Sequence, residues 1–205
     1  MRECVSVLHT PSRSCFCLLI MMEFNSVEEI FDALDKMRSK VVDAVSDLSD
    51  EQANFRSSEE KWSAILIVEH LAKTEANLVR IVGKLLGKAE AENAPSDGKI
   101  NPPISFAAIA DRARTERFQA PAFIAPEGAA TLAESLEQLS QSRAALLEMR
   151  PRIEAVDCSK VEYPHPAFGK LNLYQWLGFI GFHELHHLAQ IKKLLAAQDL
   201  QKSDL

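Results

Sequence analysis

The sequence predicts an all-α protein folded as a four-helix bundle, and three observations carry that prediction. Four segments repeat apolar side chains at i, i+3, i+4 and i+7, the spacing that gives a helix one apolar stripe. The 205 residues include only seven glycines, and long stretches lack proline, so turn residues of a strand-rich fold are scarce. Apolar residues make up 47% and charged residues 25%, ordinary for a chain that buries one core.

The first helix opens at "SVEE", where Ser26 and Glu29 form a capping box. It runs to about Leu48, with Ile30, Leu34, Met37, Val41 and Val45 on one stripe. "SDEQANFRSSEEKWS" then breaks the pattern with polar and turn-forming residues. The second helix runs from near Ser63 to Leu86, with Gly87 as its C-terminal stop and Ile67, Leu71, Leu78, Val82 and Leu85 facing inward. Residues 88–104 read as a loop, and 106–117 as a short helix before "APAFIAPEG". Thr131 and Glu134 form a second capping box and open a third helix through about Met149, with Leu132, Leu136, Leu139, Leu146 and Leu147 on its core side. The stretch 150–171, with "YPHPAFGKLN", reads as an irregular connection, and Asn172 caps a fourth helix that reaches about Ala197. Connections longer than hairpin turns suit a bundle.

Charge and cysteine usage narrow the function. A net charge of −6 without any basic stripe argues against nucleic acid as a partner. Of the four cysteines, Cys4, Cys15 and Cys17 crowd the start and Cys158 stands alone, which is neither a disulfide framework nor a zinc-binding spacing. A reducing cytoplasm is the compartment this predicts. The apolar run Cys15–Met22 is too short to cross a bilayer, and no small-residue cleavage site follows it. Residues 1–22 therefore read as a disordered or loosely attached extension, with Met21 or Met22 as an alternative initiator. Residues 23–200 read as the folded domain, with no membrane partner.

The chemistry concentrates in "HELHHLAQI". At about 100° per residue, His183 and His187 fall on the inward stripe with Trp176, Ile180, Ile191 and Leu194. His186 points about 100° away toward Gln175, Gln190 and Lys193 and is expected to be solvated. The plainer reading of His183 and His187 is a pair of core-edge histidines satisfied by hydrogen bonds; the sharper one is a pair of metal ligands. His70, at the rim of the apolar arc of the second helix, supplies a third imidazole if the second and fourth helices are neighbours. Three imidazoles from two helices leave a coordination position open, as reactive metal sites do. His165, between two prolines, reads as an ordinary exposed loop histidine, the alternative being a residue that lines the mouth of a site. The pattern also satisfies H-E-x-x-H, the zinc helix of metalloproteases, with Glu184 as general base. A protease reading fails on its third ligand, because only a polar tail follows His187 and the metzincin extension is absent.

"KWSAILIVEHLAKTEANLVRIV" and "WLGFIGFHELHHLAQIKKLL" resemble the second-helix and last-helix signatures of the DinB-like (DinB/YfiT) superfamily. The resemblance spans roughly residues 23–198 and implies a four-helix bundle of DinB/YfiT type. It also implies a divalent metal (Zn, Ni, Fe or Mn) on His70, His183 and His187. Trp62 and Ser63 match the pair preceding the second helix, and Gln190 the glutamine after the last ligand. The resemblance implies a small-molecule substrate, a low-molecular-weight thiol as a possible co-substrate, and a homodimer. The leading expectation is a metal-dependent thiol S-transferase or hydrolase, with Glu184 either a base or supporting group or else a carboxylate paired with Lys or Arg. The other expectation is a non-catalytic metal- or ligand-binding stress-response module. Trp62, Tyr174 and Trp176 either shape a pocket or pack the core.

Overall fold

A computed structural model describes residues 23–92, 94–107 and 121–203. Four long helices and one short one are present among them: α1 (Val27–Val45), α2 (Asp50–Asn54), α3 (Ala64–Glu92), α4 (Leu132–Ala155) and α5 (Leu173–Ser203). The expected extension over 1–22, and all but the first two residues of the helix expected over 106–117, lie outside the described residues.

Side-chain caps start α1 and α4 where the sequence places them, although Glu29 closes on Asn25 rather than on Ser26, and α2 forms within the stretch read as a break in the pattern. Ser26 accepts the N–H of Glu29, while the Glu29 carboxylate accepts the N–H of Asn25 at 2.7 Å. Ser49 and Gln52 form a reciprocal capping box on α2, and Thr131 and Glu134 form one on α4. Each box satisfies N–H groups that the first helical turn leaves without partners.

Three helices run further than expected, α5 among them, which reaches Ser203 rather than about Ala197. Gly87 does not stop α3, which continues to Glu92 because Leu86 and Ala89 are buried against the neighbouring helices. Burial there outweighs the roughly 1 kcal/mol that a helical glycine costs. Likewise α4 continues past Met149 and through Pro151. Pro151 and Leu147 both face solvent, so the carbonyl released by the missing N–H can be hydrated. Consequently Leu147 is 40% exposed rather than inward, and Ile153 is buried in the core beside Leu139 and Leu146.

Both stretches read as irregular contain strands. β1 (Glu23–Ser26) pairs antiparallel with β2 (Lys99–Ser105), and β3 (Glu162–His165) pairs antiparallel with β4 (Gly169–Asn172). Two-stranded ribbons tolerate prolines at positions that need no N–H in the ladder. Gly169, at φ +76°, makes the left-handed turn that returns the second ribbon.

The helices run up, down, down, up. Arg152 bonds Glu90 and Pro95 bridges Val156 near the C-terminal ends of α3 and α4, whereas Glu69 near the start of α3 bonds the backbone just before α4. These two helices are thus parallel, joined by the long crossover 93–131. α1 begins where Val27 bonds Gly98, and α5 where the Tyr174 hydroxyl accepts the N–H of Cys158, so both oppose that pair. The core lies between α1, α3, α4 and α5 and includes Trp176, Tyr174, Phe31 and Phe106. Among the described residues, no helix is long and apolar enough to cross a membrane.

Candidate metal centre

The antiparallel neighbours α3 and α5 bring three imidazoles together. His70 and His187 are buried, and His183, one turn before His187, is partly so. Its Nε2 lies 3.3 Å from Nε2 of His70 and 3.2 Å from Nε2 of His187. One nitrogen from each of the three falls within 4.8 Å of the others. Two nitrogens bound to one tetrahedral ion at about 2.0–2.1 Å would stand about 3.3 Å apart. The donor set therefore fits a divalent cation in both spacing and chemistry.

Supporting groups fix which ring nitrogen is free. His70 Nδ1 donates to the carbonyl of Ile124 at 2.8 Å, and His187 Nδ1 donates to Gln190 Oε1 at 2.9 Å. With protons held on Nδ1, both Nε2 lone pairs face the shared point. The Gln190 amide nitrogen in turn donates to His186 Nε2 at 3.0 Å. His186 is accordingly half-buried and engaged, not solvated as the helical wheel predicts. Burial lowers the pKa of all three clustered imidazoles. The neighbouring rings add to this, taking His187 to about 3 and His183 well below its usual value. They are neutral near pH 7, the state in which imidazole binds a metal.

Aromatic rings wall the cluster. Trp62 lies 5.0 Å from the His70 ring and stacks on His187 at 6.5 Å. Phe179 stacks on His183 at 6.0 Å and touches His165, whose ring lies 4.7 Å away. His165 is not a bare loop histidine. Its Nδ1 accepts the N–H groups of Ala167 and Phe168, and burial lowers its pKa to about 4. Tyr174 and Trp176 are core residues, 1% and 2% exposed.

The strap 121–128, which contains the short turn Ala122–Ile124, crosses the start of α3 beside His70. Glu69, 2% exposed, accepts the N–H groups of Glu127 and Gly128 at 3.0 and 2.9 Å. Lys73 Nζ donates to the carbonyl of Ala125 at 3.2 Å and pairs with Glu69 at 3.0 Å.

Glu184 faces a different set of partners. Its carboxylate accepts from Arg38 at 2.6 Å and from Arg143 at 3.3 Å, and the same two arginines bond Glu75. This is the arginine-pairing role anticipated beside the base role. Burial pushes the Glu184 carboxyl up while the two guanidinium groups oppose it. The sequence carried a signal for this network that periodicity alone passes over. Arg38, Glu75 and Arg143 each sit between apolar residues at helical spacing, in Leu34–Arg38–Val41, Leu71–Glu75–Leu78 and Leu139–Arg143–Leu146. Ile124 had no such signal, because it acts through a backbone carbonyl, whereas Glu69 and Lys73 stand at i, i+4 on α3, a spacing that signals their ion pair but not the strap they hold.

A helical bundle in which two antiparallel helices converge three imidazoles defines a class of four-helix proteins with a three-histidine centre. The chain belongs to the DinB superfamily, whose family model matches residues 33–191. It is 29% identical over 153 residues to the uncharacterised protein YuaE of Bacillus subtilis (strain 168), covering 72% of this chain and 85% of that one. Two solved structures share its fold. TT2238, a four-helix bundle protein, aligns with TM-score 0.52 at 21% identity over 80% of this chain and 96% of its own. YfiT from Bacillus subtilis, described as a probable metal-dependent hydrolase with an unusual four-helix bundle topology, aligns with TM-score 0.54 at 20% identity over 93% and 94%.

Proposed function

We propose that this protein is a divalent-metal-dependent enzyme acting on a small molecule, as a hydrolase or a thiol S-transferase, with His70, His183 and His187 as its metal ligands. The observation that carries the reading is the convergence of three imidazoles, with His183 Nε2 at 3.3 and 3.2 Å from those of His70 and His187, one nitrogen of each ring within 4.8 Å of the others, and Nδ1 of two rings already engaged. A bound ion would supply positive charge that lowers the pKa of a water or thiol beside it. The chain's own part is positional. Ile124 and Gln190 hold protons on Nδ1, Trp62 shields the His70 and His187 rings, and partly exposed His183 leaves an approach for substrate. Superfamily membership and YfiT's description support a metal centre; the choice between hydrolysis and S-transfer is our proposal, as are Zn, Ni, Fe or Mn as the ion, a homodimer and a cytoplasmic location.

The second reading, a non-catalytic binding module, is favoured by one feature. An open depression of about 540 Å³, with room for a small ligand, lies at the start of α5, and Ser96, Asp97, Asp157 and Tyr174 line it with none of the three imidazoles. The experiment that separates them begins with protein from metal-supplemented medium. Bound Zn, Ni, Fe and Mn are measured, followed by hydrolysis and thiol conjugation to an electrophile. The expected result is about one metal per chain, lost in the His70→Ala, His183→Ala double variant, with turnover that disappears alongside it. Unchanged metal content in that variant overturns the centre; metal without turnover favours the binding module.

A further inference from the structure

We infer that the strap 121–128 is docked on α3 so as to set the metal affinity of the three-histidine centre, with Glu69 and Lys73 as its positioning residues. The inference rests on the proposed metal centre but not on any catalytic activity.

Three side chains within five positions of α3 all end on the backbone of this one strap. His70 reaches the carbonyl of Ile124, Lys73 the carbonyl of Ala125, and Glu69 the N–H groups of Glu127 and Gly128. Glu69 is the informative member. A carboxylate that is 2% exposed would be costly to bury for packing alone; its two oxygens accept the N–H groups of Glu127 and Gly128, and Lys73, which also holds the strap, supplies the countercharge at 3.0 Å. Apolar burial does not explain the docking either, since the turn 122–124 buries no side chain and Phe123 is 71% exposed. Gly128, at φ +72°, takes the left-handed conformation on the stretch that meets Glu69.

The consequence follows from where the Ile124 carbonyl points. It orients the His70 ring and keeps the proton on Nδ1, so displacing the strap would free that ring to turn or to change tautomer. Loss of such a supporting partner typically costs 10–100-fold in metal affinity. Linkage requires the converse: an ion bound at Nε2 must favour the docked strap to the same degree.

The test uses the full chain with Zn²⁺ as probe. Affinity is measured by competition with a fluorescent chelator, and amide exchange across 121–128 is followed with and without Zn²⁺. The variants are Glu69→Gln and Gly128→Ala, the second acting on the strap itself should the first fold poorly. We expect affinity about 10–100-fold weaker in both, with helical circular dichroism retained, and slower strap exchange in wild type on adding Zn²⁺. A merely structural latch would lower the melting temperature and leave affinity alone. Wild-type affinity in the folded variants, or strap exchange indifferent to Zn²⁺, overturns the inference while the centre stands. If wild type takes up no Zn²⁺ that His70→Ala abolishes, the metal reading fails and the inference falls with it.

Discussion

At the scale of single residues, the centre depends on hydrogen bonds to the nitrogens that do not face it. His187 has Gln190 as its acceptor, from a side chain one turn further along the same helix. Gln190→Leu removes that acceptor and lets the ring take either tautomer. We expect about tenfold weaker Zn²⁺ binding or more, read by chelator competition, with thermal stability nearly unchanged because Gln190 is exposed. His165 illustrates a different consequence of burial. Its pKa falls from 6.5 to about 4 in the folded protein. Between those values the unfolded chain binds more protons than the folded one, so protonation favours unfolding and stability drops as pH falls through that window. Urea midpoints at pH 7 and pH 5 should therefore differ more for wild type than for His165→Phe.

At the scale of elements, the glycines of the long helices divide by what lies against them. Gly178 on α5 faces the ring of Phe106, and a methyl group there would overlap it, while Gly181 faces Met37 and Leu34 of α1. Gly87 on α3 meets nothing and is exposed. The same substitution should consequently have opposite signs. Gly178→Ala is expected to destabilise by about 1–3 kcal/mol through overpacking. Gly87→Ala should stabilise by about 0.5–1 kcal/mol, since alanine restricts the unfolded chain and suits a helix interior. Urea denaturation of the pair checks both signs at once.

At the scale of the whole molecule, Arg38, Glu75, Arg143 and Glu184 tie together one helix each: α1, α3, α4 and α5. Two guanidinium groups meet two carboxylates that are each 2% exposed, and Arg143 also reaches the exposed Asp35 at 3.4 Å. Such a network is paid for by desolvation, so its presence is weak evidence of net stability, but removing one member leaves buried charge without compensation. Arg143→Met should cost about 3–5 kcal/mol, a large share of what a domain this size possesses. A denaturation midpoint close to wild type would show that Arg38 alone can serve both carboxylates.

Much of this was legible in the residues. Periodicity located four helices, Ser26 and Thr131 marked two of their starts, and the i, i+4 spacing of His183 and His187 made them a pair. Local hydrogen bonding imposes the 3.6-residue repeat wherever the chain is helical, so these features need no knowledge of the rest of the fold. Helix ends at Gly87 and Met149 were misplaced because burial of Leu86, Ala89 and Ile153 outweighs the local preference of glycine and proline. Only the tertiary structure decided that α3 lies beside α5, bringing His70 to His183 across 113 positions of sequence. It also decided that a backbone carbonyl at Ile124 orients His70, and that Glu184 turns to two arginines. Those outcomes depend on how separate helices pack against one another, and no local repeat records that.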